Sequence, residues 1–193
     1  MRQNGLKAIK IVDGDSVLSV RITDGKKDVL LASSGGKSIR FFEDDCRPQG
    51  RVSQGVKGMS LTDDEVVIGM EVIDDKSEIL TVTSRGYGKR SSADEYRKQS
   101  RGGKGILAMK LTEKTGEIMC ILPVTDKDDL MIITDKGQVI RTKISGISLL
   151  GRNTQGVRLI NVKPDEKVIA IEKIIDPDEE TNEGEPSETP PVQ

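Results

Sequence analysis

The sequence contains no histidine and no tryptophan, and only two cysteines, two tyrosines and two phenylalanines among its 193 residues. Lacking histidine, it has no ordinary general base, lacks the commonest metal ligand and cannot form a Ser-His or Cys-His nucleophile pair, which argues against hydrolase chemistry. Cys46 and Cys120 stand far apart, in no CxxC spacing and no even-numbered framework, so both read as reduced, buried thiols of a cytoplasmic protein. The opening MRQNGLKAIKIVDGD has no apolar run suited to an export signal, and nowhere do about 18 apolar residues stand together to span a membrane. The scarcity of aromatic rings also leaves little material for stacking single-stranded bases.

What is present in quantity is charge, 32% of residues, with a formal net of -2. That total hides an asymmetry. Residues 176–193 hold seven of the 32 acids, four prolines and no Lys or Arg, which leaves 25 acids against 30 cations in the remainder, about +5. The tail is expected to be disordered, because it cannot bury enough apolar surface to offset its ordering entropy. The body is expected to tolerate or attract a polyanion.

The chain also repeats itself. VLLASSGGKSIRF (Val29 to Phe41), EILTVTSRGYGKR (Glu78 to Arg90) and LMIITDKGQVIRT (Leu130 to Thr142) share an apolar run, a glycine-containing turn and a second run ending near a cation. Gly36, Gly86 and Gly137 fall in register, as do Arg40, Arg90 and Arg141, at a period of 50 to 51 residues. Eleven residues further on come Arg51, Arg101 and Arg152, then Gly55, Gly105 and Gly156, inside the alignable segments GRVSQGVKGMSL, SRGGKGILAMKL and GRNTQGVRLINV. QNGLKAIKI (Gln3 to Ile11) resembles the same segment of an earlier unit. The β-branched runs EVVIGMEVI, EIMCILPV and KVIAIEKII follow, with SVLSVRIT (Ser16 to Thr23) matching them in that partial first unit.

Short Val- and Ile-rich runs punctuated by Gly, Asp and Asn are strands, and helical spacing is missing. The expectation is an all-β, propeller-like array of four-stranded blades, about three and a half repeats over residues 1–27, 28–76, 77–127 and 128–175. The chain then reads as starting partway through a repeat, either as the C-terminal fragment of a longer array or as a chain that leaves one sheet edge for a partner.

Cations at equal places on successive blades predict a basic stripe along the rim, spaced for a phosphate backbone and suited to duplex DNA rather than single strands. The candidate contacts are Lys37, Arg40, Arg51, Lys57, Lys89, Arg90, Arg97, Lys98, Arg101, Lys104, Arg141, Lys143, Arg152 and Arg158. The alternative for each is a solvated surface charge on a protein-interaction scaffold. SSGGKS (Ser33 to Ser38) ends like a phosphate-binding loop, but its leading glycine is missing and a strand should follow, so nucleotide binding is not expected. Glu43-Asp44-Asp45 and Asp63-Asp64 are more simply turn residues than metal ligands.

GYGKRSSADEYRKQSRGGKG (Gly86 to Gly105) and TDKGQVIRTKISGISLLGRNTQGVRLINV (Thr134 to Val162) closely resemble the last two blades of the C-terminal domain of DNA gyrase A, a likeness covering nearly all of residues 4–175. The resemblance implies a β-pinwheel that wraps duplex DNA around a basic rim without catalysing strand cleavage. The remainder of gyrase A, and through it gyrase B, would be its partners. ATP and magnesium would act outside this chain. The segment Gln99, Ser100, Arg101, Gly102, Gly103, Lys104 and Gly105 resembles a degenerate copy of the family's gyrase box, with Ser100 replacing a cation. Its glycines are expected to let amides approach phosphate while Arg101 and Lys104 supply charge. The corresponding domain of topoisomerase IV is the nearest alternative.

Overall fold

A computed structural model of the chain describes residues 6–174. In each full repeat the apolar run, glycine turn and second run close an antiparallel hairpin: β1 (Asp28–Ser33) with β2 (Lys37–Phe42), β4 (Glu78–Thr83) with β5 (Tyr87–Ser92), and β8 (Asp129–Thr134) with β9 (Val139–Lys143). The turns explain the period. Gly36, Gly86 and Gly137 adopt φ of 88°, 75° and 81°, a left-handed conformation that side chains resist. The hydroxyls of Ser33, Thr83 and Thr134 accept the amides of Lys37, Tyr87 and Gln138 at 3.4, 3.2 and 3.1 Å.

A third strand pairs with the first strand of each hairpin: β3 (Val67–Ile73) on β1, β7 (Ile118–Val124) on β4 and β11 (Val168–Ile174) on β8. Each of these pairings shifts register near the hairpin turn, at Ala32/Ser33, Val82/Thr83 and Val168/Ala170, a bulge that strengthens the local twist.

The fourth strand corrects the sequence reading, in which each repeat builds its own blade. β6 (Ile106–Leu107) lies in the second repeat but pairs with β2 of the first, and β10 (Val157–Arg158) lies in the third repeat but pairs with β5 of the second. The sheet orders are therefore β3-β1-β2-β6, β10-β5-β4-β7 and β11-β8-β9, the last with three strands. Each of the second and third repeats supplies three strands to its own blade and one to the blade before it. QSRGGKG accordingly connects β5 of the second blade to β6 of the first.

Packing between blades makes the core. Leu30, Ala32 and Ile73 of the first blade meet Ile79, Tyr87, Ala93 and Tyr96 of the second, with Ala108 and Met109 following the donated strand. Leu80, Val82 and Val124 of the second meet Leu130, Ile132, Ile144 and Ile147 of the third. A smaller cluster of Ile39, Phe41 and Met59 lies on the first blade. β3 adjoins β7 and β7 adjoins β11, so the third strands face the centre and the donated strands mark the outer rim.

Two further expectations change. Ser16 to Thr23 and the residues around Ile9 form no strand, because the hairpin such a run pairs with is not among the described residues. Cys46 is exposed rather than buried, since it ends the 3-10 turn of Glu43–Asp45 at the surface, while Cys120 in β7 is half-buried. The acidic segment 176–193 lies outside the described residues.

Candidate nucleic-acid interface

A short 3-10 turn follows each hairpin, Glu43–Asp45, Ala93–Glu95 or Ile144–Gly146, and the second and third of these redirect the chain onto the preceding blade. From there a connector runs along the outer strand of the preceding hairpin. The Gln99 amide donates to the Arg40 carbonyl at 2.8 Å, and the Arg90 amide and carbonyl bond to Ser148 and Leu150 at 3.0 and 2.8 Å. The connectors are therefore the outermost backbone of the blades, and their cations form the rim.

On the connector of the first blade Arg97, Lys98 and Lys104 are exposed and Arg101 is half-buried; on that of the second, Arg152 is half-buried and Arg158 exposed. The matching segment of the first repeat exposes Arg51 and Lys57, and β9, the outer strand of the third blade, exposes Arg141 and Lys143. The side chains of Arg51, Lys57, Arg97, Lys104 and Lys143 take no hydrogen bond or ion pair among the described residues. Lys98 pairs with Asp28 at 3.0 Å. Lys37 is half-buried, 3.9 Å from Glu65. Arg158 donates to the Tyr87 hydroxyl at 2.8 Å and lies over its ring, as does Lys114, each 5.4 Å from the centroid. Those bonds hold the Tyr87 phenol below its ordinary range.

The periodic arginines are a correction. Arg40 is only 3% exposed; it donates to buried Asp28 at 2.8 Å, to the Ala93 carbonyl of the next blade at 2.9 Å, and pairs with Asp75. Arg90 is 8% exposed and repeats the arrangement with Glu78 at 2.7 Å, the Ile147 carbonyl at 2.8 Å and Asp126. These guanidinium groups join blades and do not face solvent. Arg141, with no following blade among the described residues, is 62% exposed and bonds Asp129 at 2.6 Å. Lys89 is also internal: it occupies the place of Ile39 and Ile140, is fully buried, and donates to the carbonyls of Gly151 and Arg152 at 2.8 and 2.5 Å. Burial pushes its amine down to about 8.

A sequence signal for this joint does exist. Asp28, Glu78 and Asp129 precede the three arginines by twelve residues each, a repeated acid-to-cation spacing that the cations alone do not reveal.

QSRGGKG also serves the backbone first. The Gly102 amide donates to the Gly58 carbonyl at 2.6 Å, the Ser60 amide donates to the Gly103 carbonyl at 2.8 Å, and Arg101 donates to the carbonyls of Asp45 and Lys57 at 2.8 and 3.2 Å. A Cβ at Gly105 would lie 2.4 Å from the Ser38 carbonyl oxygen, so glycine is needed to seat the donated strand. Lys104 alone in the segment projects an unpaired charge. The acids Glu43-Asp44-Asp45 form the 3-10 turn itself, and GKS lies in the β1–β2 hairpin.

Four-stranded sheets that exchange strands around a common centre define a propeller-like repeat domain. The chain matches the family described as DNA gyrase C-terminal domain, beta-propeller, over residues 1–24, 27–74, 77–125 and 128–174, and it belongs to that family. It is 59% identical over 173 residues to the DNA gyrase A protein of Buchnera aphidicola, covering 90% of this chain and 21% of that protein. Against the Pseudomonas aeruginosa gyrase A protein it is 40% identical over 188 residues, covering 95% and 20%. The chain thus spans about a fifth of the length of these relatives. A solved DNA gyrase A C-terminal domain superposes with TM-score 0.80 at 25% identity, covering 89% of this chain and 58% of that one. The C-terminal domain of DNA topoisomerase IV gives 0.82 at 24%, covering 87% and 53%, a likeness of fold. No helix among the described residues is long and apolar enough to cross a membrane.

Proposed function

We propose that the chain is a non-catalytic duplex-DNA-binding module of DNA gyrase A, acting with the remainder of that protein and, through it, with gyrase B in ATP-dependent supercoiling in the bacterial cytoplasm. The observation that carries this reading is the set of exposed, unpaired cations on the outer backbone: Arg51 and Lys57 on the connecting segment of the first repeat, Arg97 and Lys104 on the connector along the first blade, and Lys143 on β9 of the third. Cations in this setting bind phosphates by charge and by release of condensed counterions, and they position a duplex without reading its sequence. Their placement on a curved rim favours a bent path, with any sequence preference arising from DNA bendability.

The test is binding of the purified chain to linear duplex DNA across a salt series. Affinity falls steeply with salt, with log K losing about 0.9 per phosphate contact for each unit of log salt. Charge reversal at Arg97, Lys104 and Lys143 lowers affinity and flattens that slope by about 1 per cation. Absence of binding at low salt by folded protein refutes the reading and favours an interaction scaffold.

A further inference from the structure

At the repeat position of Lys89 the second blade departs from its neighbours in kind. The first and third blades place Ile39 and Ile140 there, and Ile39 packs 3.5 Å from the Cβ position of Gly103 on its connector without offering a hydrogen bond. Lys89 is just as buried, at 0% exposure, yet it carries an ammonium that takes no carboxylate partner among the described residues. A buried charge of this kind costs stability, and a strand that closes with isoleucine in two blades does not require it in the remaining one.

What the charge adds lies on the connector. Lys89 donates to the Gly151 and Arg152 carbonyls at 2.8 and 2.5 Å, the Ser91 hydroxyl donates to the Leu150 carbonyl at 2.7 Å, and the Glu95 carboxylate accepts the Arg152 amide at 2.8 Å. Residues 150–152 are thus held one by one from β5 and from the 3-10 turn that follows it. On the connector of the first blade no donor reaches the carbonyls of Ser100 or Arg101 among the described residues, and the backbone of Gly58 and Ser60 fixes that connector instead. The lysine tie sets Arg152 on the rim, where Nη1 donates to the Leu107 carbonyl at 2.6 Å and to Asn153 at 3.2 Å, while Nε and Nη2 take no protein acceptor among the described residues. Burial disfavours the Lys89 ammonium most, Glu95 supports it, and the nearby Arg152 charge opposes it; β4 sets only the uncharged Thr81 opposite. A phosphate on Arg152 offsets that opposition. Its charge favours the protonated amine, and by reciprocity the protonated amine favours the phosphate.

On the duplex-binding reading given above, we propose that Lys89 is a positioning residue of the DNA interface: its buried ammonium fixes residues 150–152 beneath the DNA backbone, and duplex binding at Arg152 is coupled to proton uptake by that amine. Loss of the proton withdraws the charge and reduces two charge-assisted hydrogen bonds to neutral ones of about half the strength. DNA affinity therefore falls as pH rises through the titration of Lys89. Fold stability moves the other way, because the buried amine is less costly when neutral. A lysine that served the fold alone would not set the two in opposition.

The experiment is fluorescence anisotropy of the full chain with a linear duplex at fixed low salt, from about pH 7 to 9.5, on wild type, Lys89→Met and Arg152→Gln. Wild-type affinity falls about four- to eightfold between about pH 7.5 and 9, as expected when an amine titrating at about 8 keeps its proton to pH 9 or beyond in the complex. Lys89→Met binds more weakly than wild type at pH 7 and shows no such fall. Arg152→Gln, which alters no core residue and so tests the coupling even if Lys89→Met does not fold, is also flat. Tight binding at pH 7 that is unchanged at pH 9 overturns the role of Lys89 and leaves the duplex reading in place. A fall that persists in either folded variant does the same. Absence of binding at pH 7 by folded wild type overturns both.

Discussion

Replacing Arg40 with Met separates a cation that joins blades from one that faces a ligand. The Arg40 and Asp28 side chains are 3% and 4% exposed, so the substitution strands a buried carboxylate with only Lys98, 3.0 Å away, to balance it. Removing one partner of a buried pair costs about 3–5 kcal/mol. The Ala93 carbonyl also loses its guanidinium donor. For a domain of this size such a loss lowers the melting temperature on the order of 10 °C. Arg141 fills the same repeat position but is 62% exposed, and a surface pair of that kind is worth about 0.2–1 kcal/mol. Urea unfolding therefore gives a large loss for Arg40→Met, an intermediate one for Arg90→Met, whose partner Glu78 is 31% exposed, and the smallest for Arg141→Met. Asp28→Asn combined with Arg40→Met recovers part of the deficit by removing the stranded charge. If all three single variants unfold at the wild-type midpoint and instead lose DNA affinity equally, the inter-blade joint is wrong and the arginines act on phosphate.

Lys89 gives a pH prediction. Its amine falls from the ordinary 10.5 to about 8 in the folded state, so the unfolded chain binds more protons between those values and stability rises with pH through that window. The gain approaches about 3 kcal/mol, and Lys89→Ile, which installs the residue type of the other two blades, abolishes the slope in denaturant titrations from pH 8 to about 10.5. A slope unchanged by that substitution assigns the effect to another group. Gly156→Ala places a Cβ 2.5 Å from the Gly88 carbonyl oxygen, whereas Gly137→Ala meets nothing within 4 Å. Both incur about 1–2 kcal/mol of left-handed strain, but only the first also displaces β10, so thermal melting separates them clearly; equal losses refute the seating of the donated strand. For DNA binding, Arg97→Glu and Lys104→Glu reduce the salt dependence while Arg90→Met leaves it unchanged, read by fluorescence anisotropy; a flattened slope in Arg90→Met contradicts its burial.

By itself the sequence determined the all-β class, the period and the place of every hairpin, because a glycine at positive φ and a Ser or Thr hydroxyl three residues before it are local turn chemistry. Gly36, Gly86 and Gly137, with Ser33, Thr83 and Thr134, carry that signal within a few residues. The outer-rim cations Arg97, Lys104 and Lys143 were also readable, since they follow or precede turns that must lie at the surface. Which blade receives Ile106–Leu107 or Val157–Arg158 was decided by tertiary structure alone: a two-residue strand contains no mark of its partner, and the choice depends on which sheet edge the connector passes. The same holds for Arg40, Arg90 and Arg141, identical in repeat position yet buried in two cases and exposed in the third. Whether a guanidinium becomes a joint or a surface charge depends on whether a following blade brings carbonyls and a carboxylate over it, and that is a property of neighbours in space.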